Sequence, residues 1–130
     1  MTLAQIEHIA LATNDLERLR DFYVLLGPVA SPPFTDREAG VRGCVLDFCG
    51  VRLELLEPSG RRVTTAGTDR LRALGHIGFV VGSADAVDEL TRVIAAAGYR
   101  VLEPPHRAGV LGRYESVVVD PDGNRVKLTV

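Results

Sequence analysis

The sequence has no tryptophan, one lysine and two cysteines among its 130 residues. It has no run of 18 apolar residues, so no membrane-spanning helix is expected. Its first twenty residues, MTLAQIEHIALATNDLERLR, lack a basic start and a cleavage-site pattern, so no secretory signal is expected. An excess of positive charge is also missing. Fifteen basic and 17 acidic residues give a formal charge of -2, which excludes a strongly basic nucleic-acid footprint and a polybasic membrane anchor. There is no Gly-x-Gly-x-x-Gly, no P-loop and no aromatic-basic interleaving, and Ser59 and Ser83 lack a nucleophile-elbow context. The two cysteines, Cys44 and Cys49, are five apart in a strand-like stretch. That odd spacing opposes a bridge, and the CxxC spacing of zinc sites is absent. They read as small core residues, and unpaired thiols suit a reducing, cytoplasmic setting.

What is present is a globular composition, 46% hydrophobic and 25% charged, in one domain's length of chain. Residues 5–12 read as a strand. Asn14 is placed to cap a helix beginning at Asp15, with an apolar stripe of Leu16, Leu19, Phe22, Tyr23 and Leu26, ended by Gly27. Pro28, Pro32 and Pro33 then hold the chain extended or turning. Strands are expected at 41–49 and 51–57, and a polar linker or mobile loop over 58–73.

The pattern then restarts. A strand over 74–82 precedes a helix capped by Ser83, with Val87, Leu90, Val93, Ile94 and Ala97 on its apolar stripe and Gly98 at its end. A short strand at 99–103, a mobile loop at 104–112 and strands at 113–119 and 123–130 follow. Asp120-Pro121-Asp122-Gly123 is the turn between the last two. HIALATNDL answers HIGFVVGSAD at an offset of 68, and GVRLELLE answers GNRVKLTV at an offset of 73. The chain therefore reads as two related β-α-β-β-β modules, about 1–57 and 74–130, making one domain because neither half buries its sheet alone.

His8 and His76 hold the same place in the two modules, and Glu54 matches Lys127. Alternation puts Arg52, Glu54 and Leu56 on one face of their strand, and Arg125, Lys127 and Thr129 on one face of theirs. The apolar faces belong under the helices. Two imidazoles and a carboxylate on the helix-free faces suit a divalent transition metal. A lone strand histidine is more often structural, but two at matched positions favour a ligand role. Glu54, amid LELLE, needs a metal, a cation or water. Glu57 is expected to face solvent. His106 is a solvated loop residue or part of a lid. Arg107 and Arg113 hold an anionic group or serve the surface, and Phe48 and Tyr114 line a cavity or pack in the core.

IEHIALATNDLERLRDFYVLLG, VRLELLEPSG, LGHIGFVVGSADAVDEL and VVVDPDGNRVKLTV together resemble the vicinal oxygen chelate superfamily, which includes glyoxalase I, methylmalonyl-CoA epimerase, extradiol dioxygenases and the bleomycin resistance proteins. The resemblance implies an α+β fold of two paired βαβββ modules in a cupped, eight-stranded mixed sheet, and a homodimer. It implies metal positions at His8, Glu54, His76 and residue 127, with zinc, nickel, manganese or iron as cofactor. The family pattern ends in DPDGN-x-x-E-L, whereas this chain has Lys127 at the glutamate. Three alternatives follow: a metal on His8, Glu54 and His76 with Lys127 aside; Lys127 paired with Glu54 in a metal-free cavity; or Lys127 as acid/base. The implied activity is a metal-dependent lyase or isomerase acting on a small vicinal-oxygen substrate, with Glu54 and Lys127 as catalytic candidates and Phe48, His106, Arg113 and Tyr114 beside the substrate. The alternative is a binding protein of the bleomycin-resistance kind.

Overall fold

Asp15 opens the first helix: its side chain accepts the Arg18 N–H at 3.0 Å, so the cap is Asp15 rather than Asn14. The computed structural model describes residues 2–64 and 74–130, in two compact units, Met1–Thr64 and Thr65–Val130. Unit one holds β1 (His8–Ala12), α1 (Leu16–Tyr23), β2 (Val29–Ala30), β3 (Phe34–Asp36), β4 (Val41–Phe48) and β5 (Val51–Pro58). Unit two holds β6 (Ile77–Val80), α2 (Ala84–Ala96), β7 (Arg100–Ala108), β8 (Arg113–Val119) and β9 (Arg125–Thr129). The fold is α+β. Its strand orders are β1-β5-β4-β2, with β3 also on β4, and β6-β9-β8-β7. Each unit follows the same β-α-β-β-β plan. β1 on β5 and β6 on β9 are parallel, and the remaining pairs are antiparallel.

In unit one, α1 buries Leu16, Leu19, Phe22 and Tyr23 at helical spacing, against β4 and β5, whose buried residues include Cys44, Leu46, Leu53 and Leu55. Each such side chain contributes about 1.5–3 kcal/mol by leaving water. Tyr23 ends α1, and a 3-10 turn over Val24–Leu26 leads to left-handed Gly27. In unit two, α2 buries Val87 and Ile94 against a sheet that includes Val118, Val126 and Leu128. The buried Thr91 and Ser116 hydroxyls satisfy one another at 2.7 Å.

Several expectations are corrected. The third strand of the first half, not visible in the sequence, is split into β2 and β3 around Pro32 and Pro33. The loop expected over 104–112 is strand as far as Ala108. β7 accommodates Pro104 and Pro105 because it is the outer strand of its sheet, with register shifts on either side of Glu103. Cys44 is buried, which pushes its thiol pKa up. Cys49 is exposed instead of buried. It is left-handed (φ 55°) with Gly50 (φ 95°) in the two-residue turn joining β4 to β5. Residues 65–73 of the expected linker lie outside the described residues.

Glu57 does not simply face solvent. It accepts the Leu16 N–H at 2.7 Å, at the start of α1, and the Arg42 Nε–H at 3.1 Å. The Arg42 hydrogen bond, then that of Leu16, holds its carboxyl below the usual value of 4.5. A depressed carboxylate stabilises the fold above its unfolded pKa and loses that contribution as pH falls through the folded one. Glu57→Gln is therefore expected to cost about 1 kcal/mol at pH 7, as Arg42 is partly screened by water. In urea titrations the gap from wild type should shrink as pH falls below 4.5. A gap that does not vary with pH would remove the charge from the account.

Candidate functional site

In unit one the parallel register sets His8 beside Arg52 and Ala10 beside Glu54. Leu53 and Leu55 face the core, so Glu54 stands on the sheet face away from α1. His8 shares that face, with its Nε2 3.7 Å from Glu54 Oε2. The other ring nitrogen, Nδ1, lies 2.5 Å from Glu7 Oε2, and Glu7 also pairs with Arg52. With Nδ1–H donating to Glu7, Nε2 is the nitrogen turned toward Glu54. That is the arrangement in which a carboxylate orients a metal-binding imidazole. Ala10, exposed and small, leaves the Glu54 side of this face uncovered. An imidazole nitrogen and a carboxylate, both accessible, fit a divalent transition metal.

In unit two, His76 is exposed and immediately precedes β6. Gly78 stands beside Lys127, as Ala10 stands beside Glu54. Lys127 Nζ lies 3.0 Å from Glu115 Oε1. Sequence alternatives included a pair with Glu54; the ion partner that the structure gives is Glu115, within the same sheet. The register explains it: Val117 faces Lys127 and Glu115 faces Thr129, so Glu115 is the diagonal neighbour of Lys127 on one face. Glu115 is buried, and the ammonium offsets the cost of placing a carboxylate there.

The remaining candidates divide between the two faces of this unit and the end of β4. His106 is on β7, half-buried, beside Glu115 in register. Its Nδ1 lies 2.7 Å from the Pro104 carbonyl oxygen, and its Nε2 lies 3.8 Å from Glu103 Oε2. Arg113 is exposed at the start of β8 and shares the Glu115 face by alternation. Tyr114 belongs to the opposite face: its hydroxyl donates to Asp88 of α2 at 2.7 Å, which raises its pKa. Arg107 donates to the Gly112 carbonyl across the β7–β8 turn. Phe48 is half-buried at the end of β4, in phase with the buried Cys44 and Leu46. Sequence reasoning missed Glu7, Glu103 and Glu115. Alternation along RYESVVV placed Glu115 in phase with Arg113 and Val117, but its partner depended on register.

The profile of the Glyoxalase/Bleomycin resistance protein/Dioxygenase superfamily matches residues 5–128. Mitochondrial methylmalonyl-CoA epimerase from Bos taurus is 27% identical over 112 residues, covering 85% of this chain and 64% of that protein. The chain thus spans less than two thirds of that relative's length. Glyoxalase I from Zea mays superimposes with a TM-score of 0.78 at 19% identity, over 96% of this chain and 44% of that one. A glyoxalase family protein from Enterococcus faecalis does so with a TM-score of 0.75 at 21% identity, over the full length of both. The trypanothione-dependent glyoxalase I of Leishmania major gives 0.73 at 25% identity, over 98% of this chain and 86% of that one. With matched modules, helix-free polar faces and a profile match running from strand to strand, the chain belongs to the Glyoxalase/Bleomycin resistance protein/Dioxygenase superfamily.

Proposed function

We propose that this protein is a divalent-metal-dependent enzyme of the lyase or isomerase type, acting on a small substrate with two neighbouring oxygens. The family resemblance implies His8, Glu54 and His76 as its ligands. The observation that carries it is the Glu7–His8–Glu54 arrangement: one ring nitrogen tied to a carboxylate, the other open toward a second carboxylate. A metal held there, when bound, polarises the substrate oxygens and eases loss of the neighbouring proton. Glu7 fixes the imidazole tautomer, and Arg52 holds Glu7 in place. The likeness to an epimerase supports an isomerase over an oxygenase. The homodimer implied by the family resemblance belongs to the same reading.

Lys127 favours a second reading, a small-molecule binding protein without turnover. A lysine stands where glyoxalase-type relatives carry a metal-binding carboxylate, and its Nζ pairs with Glu115 Oε1 at 3.0 Å. Metal analysis of untagged protein separates the two. The enzyme reading expects about one divalent ion per chain at this site, with affinity falling by at least tenfold in His8→Ala/His76→Ala. Metal-free protein that binds a ligand tightly would establish the second reading.

A further inference from the structure

We infer that unit two carries a divalent-cation site of its own, formed by Glu103, His106 and Glu115. One ligand atom from each lies within 4.8 Å of the others, so a single ion reaches all three. The ring of His106 is already set for the task. Nδ1–H is engaged by the Pro104 carbonyl at 2.7 Å, so Nε2 is the nitrogen turned toward the two carboxylates. Glu115, only 7% exposed, has the Lys127 ammonium on its Oε1. Two glutamates, one of them paired with Lys127, put two carboxylates beside the imidazole. One imidazole with two carboxylates is a donor set for zinc or manganese.

The sibling module shows that the fold does not require these groups. SPPF at 31–34 corresponds to EPPH at 103–106, both offset by 72, and each diproline lies on the outer side of its sheet. Phe34 faces Gly43 in register just as His106 faces Glu115, and Ser31 sits beside Val45 just as Glu103 faces Val117. Unit one thus has Ser31, Phe34 and Gly43 where unit two has Glu103, His106 and Glu115. At Gly43 the space is closed: a Cβ would lie 2.9 Å from the Phe34 ring and 2.5 Å from the Leu55 carbonyl oxygen. The same backbone positions are packed in one unit and furnished with three potential ligands in the other. Burying a carboxylate at this place is costly, and sheet packing gains nothing from it.

The test is calorimetric titration of untagged, chelator-stripped chain with zinc, in the His8→Ala/His76→Ala background that removes the other proposed site. That background should retain one equivalent of zinc. Adding His106→Ala, or Glu103→Gln, should weaken binding at least about tenfold. Both side chains are substantially exposed, 41% and 52%, so neither change empties a core; circular dichroism checks the fold. An unchanged isotherm in both variants, or no zinc bound in the His8→Ala/His76→Ala background, would overturn the inference. Loss of one equivalent of zinc from wild type on His8→Ala/His76→Ala, with one equivalent retained, bears only on the proposed enzyme site.

Discussion

Lys127→Glu is expected to melt roughly 10 °C or more below wild type in chelator, and to regain most of that loss in excess zinc. The substitution removes the cation 3.0 Å from Glu115 Oε1 and puts a like charge in its place. Breaking an ion pair whose carboxylate is buried costs about 3–5 kcal/mol, less where one partner is wet, and Lys127 is 29% exposed. Repulsion between the two carboxylates adds to the loss. A divalent ion reverses the sign of that interaction, because both carboxylates then serve as ligands. Binding at 100 times the dissociation constant restores about 2.7 kcal/mol. Lys127→Met separates the two effects: it loses the pair without adding a ligand, so it should destabilise but respond less to zinc. Melting curves for the three proteins, with and without zinc, give the answer. Identical curves would mean that residue 127 does not face Glu115 in solution.

Asp120→Ala should be comparably damaging, by about 3 kcal/mol, since it removes a buried acceptor for several donors. Asp120 is 3% exposed. One carboxylate oxygen accepts the backbone N–H groups of Asp122 and Asn124, each at 2.9 Å, and the other accepts the Asn124 side-chain amide at 2.8 Å. Two backbone bonds, Asp120 N–H to Asn124 O and Gly123 N–H to Asp120 O, close the same turn. This turn sets the register of β9 against β8, and therefore places Lys127 beside Glu115. Asp120→Asn keeps one acceptor and should lose about half as much, with urea midpoints as the measure. A loss below about 1 kcal/mol for Asp120→Ala would mean that water replaces the carboxylate.

Much of this architecture was legible because the chain states it twice. The matched His8 and His76, the helix stripes and the DPDG turn are local patterns, and local patterns survive without tertiary information. The placement of Glu54 opposite its buried neighbours followed from a period of two. The partner of Lys127 did not, since a diagonal contact depends on how the turn aligns two strands, and a shift of one residue would have reversed the face. Glu57 escaped for a related reason: its donors, Leu16 and Arg42, come from other elements. The strand after Glu103 was hidden by its prolines, which signal a loop unless the strand is known to lie at an edge. The repeat of SPPF as EPPH carried that information, since it placed two diprolines at equivalent positions.

Those diprolines also blunt the sheet edges against pairing with another chain. An outer strand with free N–H and C=O groups is a template for another chain, and proline withholds the N–H that such a template needs. Pro32–Pro33 and Pro104–Pro105 interrupt the outer side of each sheet, at β2/β3 and at β7. Successive N–H groups of a strand point to opposite sides, so of two adjacent prolines one withholds an outward donor and the other an inward one, and a strand added from another chain loses a ladder bond there. Replacing Pro104 and Pro105 with residues that donate would restore one outward and one inward N–H and leave β7, nine residues long, a more continuous edge for another chain to pair with.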